Sequence, residues 1–350
     1  MEIRKRNMAI DILKFFAVLL ITNSHFDEEY VYCKQLATGG AIGDALFFFC
    51  SGYTLFLGRF GRFDTWYKRR IRRIYPSVIG LGLVALLLYH VDMSVGNLLT
   101  VGAGWFVECI MIYYVLLYFV RKYAIDRLKW VYAITCLLVL MWYGLFFEPI
   151  RSHIMQNYPA FHWLVFCEPM DKVWIYQWNY FKYGFFFLFM LLGAHLGLKE
   201  ARTQQEKLLH VKFLPTLAML LLSMVGFYVL PLCSMKSPVL QNVVILTLVP
   251  LAGVCFYFYR LCQTDVLMKL YHKRYIGWCM SVIGGLCLEI YLVQPFVRTT
   301  ALNYLFPLNL LILFVAIFLV AYLCRAFGRW FQQTFSGDEG YDWKKIFDVK

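Results

Sequence analysis

The chain has 350 residues, of which 61% are hydrophobic and 19% aromatic, with a mean hydropathy of +0.61 and a net charge of +13. That much apolar surface exceeds what a soluble domain of this length can bury, so soluble enzymes and binding modules are excluded and the chain reads as an integral membrane protein. The positive charge is that of basic loops facing anionic headgroups, and no nucleic-acid-binding motif accompanies it.

In chain order, ten apolar runs, each long enough to cross a bilayer as a helix, cover about residues 9–26, 42–58, 74–91, 105–121, 130–147, 182–198, 213–232, 239–260, 277–298 and 303–326. They predict an all-α integral membrane protein, a polytopic bundle of about ten transmembrane helices. The first run has a basic start, but Asp11 and Lys14 interrupt it and no small-residue cleavage site follows. It reads as a retained span rather than a signal peptide. No long polar linker or repeat divides the chain, which gives one transmembrane domain over residues 1–335 and a short polar tail over 336–350. With the N-terminus inside, 27 of the 34 Lys and Arg residues fall in cytoplasmic segments, six fall outside, and Lys14 lies within a span. Basic residues in short loops stay cytoplasmic, so both termini are expected there.

The one long outer connection, residues 148–181, holds Pro149, Pro159 and Pro169 and is too apolar for a mobile loop, so it is expected to lie on or fold into the outer surface. Its Trp163, Trp174 and Trp178 read either as an interfacial aromatic belt or as a platform for sugar rings. The eleven cysteines form no CxxC pair and lie mostly in spans, where Cys is a small apolar residue. Cys33, Cys167 and Cys233 fall outside, with nothing to argue for a disulfide.

Ionisable residues within spans are functional candidates, because a charge at mid-bilayer costs roughly 2.5 to 3.5 kcal/mol on insertion scales. Here they are Asp11, Lys14, His25, Asp44, Glu108, His195 and Glu289. Lys14 and His25 are eleven residues apart, which on a helix is three turns plus about 20° and a rise of about 16.5 Å. They share a face, with the cation near the cytoplasm and the imidazole near the outside. Such a face suits chemistry that joins two compartments, although Lys14 snorkelling to the headgroups and His25 resting at the interface would look the same.

The Lys14 to His25 interval is similar to the Arg/Lys, ten residues, His signature of the membrane acyltransferase-3 family. "GDALFFFCSGYTL" resembles that family's glycine, two aromatics, Ser-Gly-aromatic motif at Phe47, Phe48, Ser51, Gly52 and Tyr53. "RRIRRIYP" resembles its RxxR segment at Arg70 and Arg73, while "FLFMLLGAHLG" and "LEIYLVQPF" resemble later spans. Three positions depart from the pattern. Lys14 replaces the more usual Arg and loses its planar fork, Asp44 stands one position before the family's acidic residue, and Gln294 occupies a place where many members have His.

The resemblance implies a membrane O-acyltransferase of the bacterial inner membrane, a stand-alone member without an SGNH-type hydrolase domain. It would move an acyl group, commonly acetyl, from cytoplasmic acyl-coenzyme A to a hydroxyl of a carbohydrate or lipid-linked glycan. Acetyl-coenzyme A is then the expected donor, and no metal is expected. Arg69, Arg70 and Arg73 are the expected phosphate-binding cations, with Arg70 and Arg73 three apart on a helix face. His25 is the expected general base or an acyl-carrying nucleophile. Lys14 would stabilise the thioester oxygen, hold a phosphate, or pair with Asp11. Glu108, at a depth compatible with His25, is the expected acid of a triad and Glu289 lies deeper, while either also reads as a structural partner to Lys14, to a Tyr hydroxyl or to backbone. Ser51 suits close helix packing better than nucleophilic attack. A secondary transporter of an anionic or glycan substrate is the alternative, distinguished by whether the substrate leaves chemically changed. A sensory or scaffolding protein has little use for aligned intramembrane charges.

Overall fold

A backbone in hydrocarbon must satisfy its own N–H and C=O groups, which forces apolar runs into helices. A computed structural model describes residues 7–89, 104–166, 174–202, 211–236, 238–335 and 340–348, and those residues contain helices and no strand. The principal helices are α1 (Met8–Ser24), α2 (Gly40–Leu57), α3 (Phe63–Tyr89), α4 (Gly104–Tyr123), α5 (Leu128–Gly144), α6 (Phe181–Arg202), α7 (Phe213–Lys236), α8 (Leu248–Cys262), α9 (Asp265–His272), α10 (Arg274–Gly285), α11 (Cys287–Val297), α12 (Leu308–Thr334) and α13 (Trp343–Ile346). By length and composition six helices among the described residues can cross a membrane, and seven if α10 and α11, bent by 72°, count as one broken span. The basic residues Arg4, Lys5 and Arg6, and also Cys167 and Pro169, lie outside the described residues.

Several boundaries differ from the sequence reading for local reasons. The third helix begins at Phe63, so the basic run Lys68 to Arg73 forms its first turns and not a loop. The ninth apolar run breaks after Gly284 and Gly285, where two successive glycines weaken the helix. The tenth begins after Pro307 and continues to Thr334, which carries Arg325 inside a helix rather than in a terminal loop.

The chain forms two compact units. The first comprises Met1–Gly43, Arg59–Val115 and Lys269–Lys350, and the second Asp44–Gly58 and Leu116–Met268. In the first, Asn7 caps α1 by accepting from the Ala9 N–H at 3.0 Å, and α1 packs along α10 and α11. Its contacts rise in step. The Tyr271 hydroxyl donates to Asp11 at 3.2 Å, Gly284 abuts the Lys14 backbone region, and Gln294 donates to Thr22 at 2.8 Å. Beyond the helix Arg298 donates to Glu29 at 3.2 Å. Helix α1 is therefore parallel to the broken pair. Helix α12 is antiparallel to both, since Arg325 near its end meets Glu289 while Asn309 near its start donates to the Glu29 carbonyl. The start of α1 and the end of α12 thus share one end of this unit.

In the second unit α6 packs against α5 and α8, and α7 lies on α8. Gly52 and Gly193 let α2 and α6 approach backbone to backbone, because a Cβ on either would overlap the main chain of Met190 or Phe49. Tyr53 and Tyr259 donate to one oxygen of Glu200 at 2.7 and 2.6 Å, and Gln263 donates to the other at 3.3 Å. The outer connection folds against α5, where the Trp142 indole donates to the Leu164 carbonyl at 2.6 Å. Trp178 neither faces a headgroup layer nor offers a sugar platform. It is buried, stacked on Tyr143 at 5.9 Å and against Phe146 at 4.4 Å. Trp163 does stay exposed, edge-on to Trp142. Among the described residues no two cysteines form a disulfide.

Candidate active site

His25 caps the C-terminal end of α1. Its Nδ1 lies 2.8 Å from the Ile21 carbonyl oxygen. A carbonyl only accepts, so Nδ1 carries the proton and the lone pair of the neutral ring sits on Nε2. Among the described residues nothing hydrogen-bonds to Nε2. The ring is half-buried and meets Tyr291 of α11 edge-on at 6.2 Å, and Tyr291 in turn packs on Phe106 of α4 at 4.6 Å. The segment after His25 is tied back by Asn23, which donates to the carbonyls of Leu36 and Thr38 at 2.7 and 2.9 Å and accepts from Tyr30 at 2.7 Å. The imidazole is therefore held by a braced turn and a helix end.

Three charged groups act electrostatically on this ring: Arg298, Asp27 and Glu29. Arg298 bridges the two acids, at 3.3 Å to Asp27 and 3.2 Å to Glu29. Glu29 is 1% exposed, and its second oxygen, together with Gln294 Oε1 and Asn309 Oδ1, is a buried acceptor without a hydrogen-bond donor among the described residues. Glu108 does not join this group. It lies two residues, or about 200° of helix, from Phe106, and its side chain is exposed. The acids that act electrostatically on His25 are Asp27 and Glu29, whose sequence signal is their place in "HFDEE", immediately after the histidine.

At the opposite end of the unit, Lys14 is half-buried beside the helix break. A Cβ added at Gly284 would lie 2.9 Å from the Asp11 carbonyl, 3.1 Å from the Phe15 nitrogen and 3.3 Å from Lys14 Cβ, so only glycine permits this approach. Glu289, on the first turn past the break, accepts twice from Arg325, at 2.8 and 3.3 Å, and Arg325 also donates to the Gly285 carbonyl. The deep acid of the ninth run is therefore one half of a buried ion pair, and its partner was counted by sequence as a terminal-loop charge.

The basic start of α3 divides by helix face. Arg70 lies over the Trp66 ring at 3.8 Å and donates to the Trp66 carbonyl at 2.8 Å. Arg70 and Arg73 both act electrostatically on the Tyr114 hydroxyl of α4. Arg69 is exposed and donates to the Arg59 carbonyl at 3.2 Å. Arg72, which the sequence motif passes over, lines a different cleft with Tyr75, Pro76 and the end of α12. Of the six expected site residues, Lys14 lies on α1 and His25 at its C-terminal cap, Arg69, Arg70 and Arg73 cluster at the same helix start, and Glu108 is on an exposed face of α4. Among the described residues no three His, Cys, Asp or Glu side chains form a metal-binding group.

A family model described as an acyltransferase domain matches residues 7–328. The chain belongs to the membrane acyltransferase-3 family. The matched span includes α1 with Lys14 and His25, the RxxR helix start, and all of the broken pair. No curated protein and no solved structure matches the chain. It is a membrane acyltransferase.

Proposed function

We propose that this acyltransferase moves an acetyl group from acetyl-coenzyme A to a hydroxyl of a carbohydrate or lipid-linked glycan. The reaction would run at the outer end of α1, in the bacterial cytoplasmic membrane. The observation that supports the reading best is the His25 ring, with Nδ1 committed to the Ile21 carbonyl and the Nε2 lone pair open. In the proposed step Nε2 accepts the proton of the acceptor hydroxyl as its oxygen attacks the thioester carbon. A C–O bond forms, the C–S bond breaks, and the coenzyme A thiolate leaves and is protonated by the imidazolium, which regenerates neutral His25. Asp27 and Glu29 stabilise the transient imidazolium, the role expected of the third member of a triad.

Lys14 sits about 16.5 Å along the helix from His25, too far to stabilise the oxygen of a carbonyl that His25 is serving. In this reading it belongs to the donor's path, with Arg69, Arg70 and Arg73 as further cations for the coenzyme's phosphates. The test is thiol release from acetyl-coenzyme A by membranes containing the wild-type chain or His25→Gln, with native acceptors present. Release that depends on His25 supports the transferase. An acceptor that crosses the membrane unmodified, with the thioester intact, points to the transporter instead.

A further inference from the structure

Residues 340–348 are more than a polar tail. They fold back on α12, where Ile346 is buried, the Tyr322 hydroxyl donates to the Phe347 carbonyl at 2.8 Å, and Arg329 donates to the carbonyls of Ile346 and Asp348. Gln333 accepts from the Asp342 N–H at 2.8 Å. On the other side Gln332 donates to the Arg72 carbonyl at 2.5 Å and fixes α3 against α12. Between these ties lies a cleft of about 710 Å³. Its lining includes Arg72 and Tyr75 from α3, Arg329 and Phe331 from α12, and Asp342 and Lys345 from the terminal segment.

The chemistry of this lining is selective. Arg72 and Lys345 come from two different elements, and among the described residues neither side chain has an ion-pair partner. Among the described residues that line it, Asp342 is the only carboxylate, and its side chain is already engaged by the Lys345 N–H at 3.0 Å. Three cations (Arg72, Arg329, Lys345) and three aromatic rings (Tyr75, Phe331, Phe335) around one cleft suit a ligand with several phosphates and a flat base. The cleft lies at the end of the unit where α1 starts, beside the basic helix start, and its α12 and terminal walls fall beyond residue 328, where the family match stops.

We propose that this cleft binds the 3′-phosphoadenosine diphosphate part of the acyl-coenzyme A donor. Arg72 and Lys345 hold phosphates, Tyr75 and Phe331 face the adenine, and the folded-back terminal segment serves as a wall of the donor site. The inference rests on the donor assigned above and adds Arg72, Arg329 and Lys345 to the cations named from the sequence.

The test is direct binding of adenosine 3′,5′-bisphosphate to the purified full-length protein in zwitterionic detergent, by calorimetry, for wild type, Arg72→Glu, Lys345→Glu and Lys344→Glu. Lys344 makes the same charge change on the same short helix without lining the cleft. The expected result is binding weakened about tenfold or more by R72E and by K345E, with K344E unchanged. Absence of binding to the wild type, or equal loss in all three variants, overturns the proposal. Displacement of the nucleotide by phosphatidylglycerol in the micelle would make the cleft a lipid-headgroup site and also overturn it. Binding is read without turnover, so a protein that binds through Arg72 and Lys345 yet leaves acetyl-coenzyme A intact refutes the proposed reaction and not the cleft.

Discussion

Removing one member of the Glu289–Arg325 pair should be among the most damaging single changes outside the active site. The side chains are 7% and 14% exposed, and two hydrogen bonds of 2.8 and 3.3 Å join them directly beside the 72° bend. Losing either partner leaves the other charge buried without its counter-ion, which costs about 3 to 5 kcal/mol. Glu289→Met and Arg325→Met should each show that loss in SDS-induced unfolding from mixed micelles. The double variant Glu289→Met, Arg325→Met leaves no uncompensated charge and keeps similar volume, so it should lie within about 1 to 2 kcal/mol of wild type. The coupling between the sites would then be several kcal/mol and opposite in sign to the single losses. Additive losses in the double variant, or single variants that cost under about 1 kcal/mol, would refute the argument that this pair holds the bend.

Gly193→Val places a branched side chain on the Phe49 backbone and should destabilise the second unit by about 1 to 3 kcal/mol or more, measured by the same unfolding assay. Trp178→Ala should cost about 3 to 5 kcal/mol, because the ring is buried among Tyr143, Phe146 and Phe181 rather than resting in headgroups. A belt residue would cost far less. Asp27→Asn should lower kcat by about one to two orders of magnitude with the KM for acceptor unchanged, since it removes a charge that stabilises the His25 cation and not a substrate contact. A change confined to KM would place Asp27 in acceptor binding instead.

The sequence revealed the class, the helical runs and the shared face of Lys14 and His25, because each rests on a periodicity that a membrane enforces strictly. It did not reveal partners that depend on tertiary contact. Depth along a span matched Glu108 to His25 but leaves the rotation of a helix open, so it did not reveal that the Glu108 side chain is exposed while Phe106 packs on Tyr291. Asp27 and Glu29 stood two and four residues past His25 but fell in a turn, where no helical spacing assigns a direction. Arg325 was counted with the cytoplasmic terminal segment because it lies at the very end of the last apolar run, while the helix continues to Thr334. The basic run at the start of α3 was legible as a cluster, but its division between the Trp66 face and the Arg72 cleft was not, since α12 and the terminal segment build the second wall from far along the chain.

The proposed reaction requires His25 to take the proton of an acceptor hydroxyl during acyl transfer. Inside-out vesicles supplied with acetyl-labelled coenzyme A, carrying either the wild type or His25→Gln at matched expression, test it most directly. Label is expected in a glycan or lipid fraction with the wild type, at least about a hundredfold less with the variant, and none retained on the protein. Equal transfer by the two chains, or label held stably on wild-type protein, would contradict it.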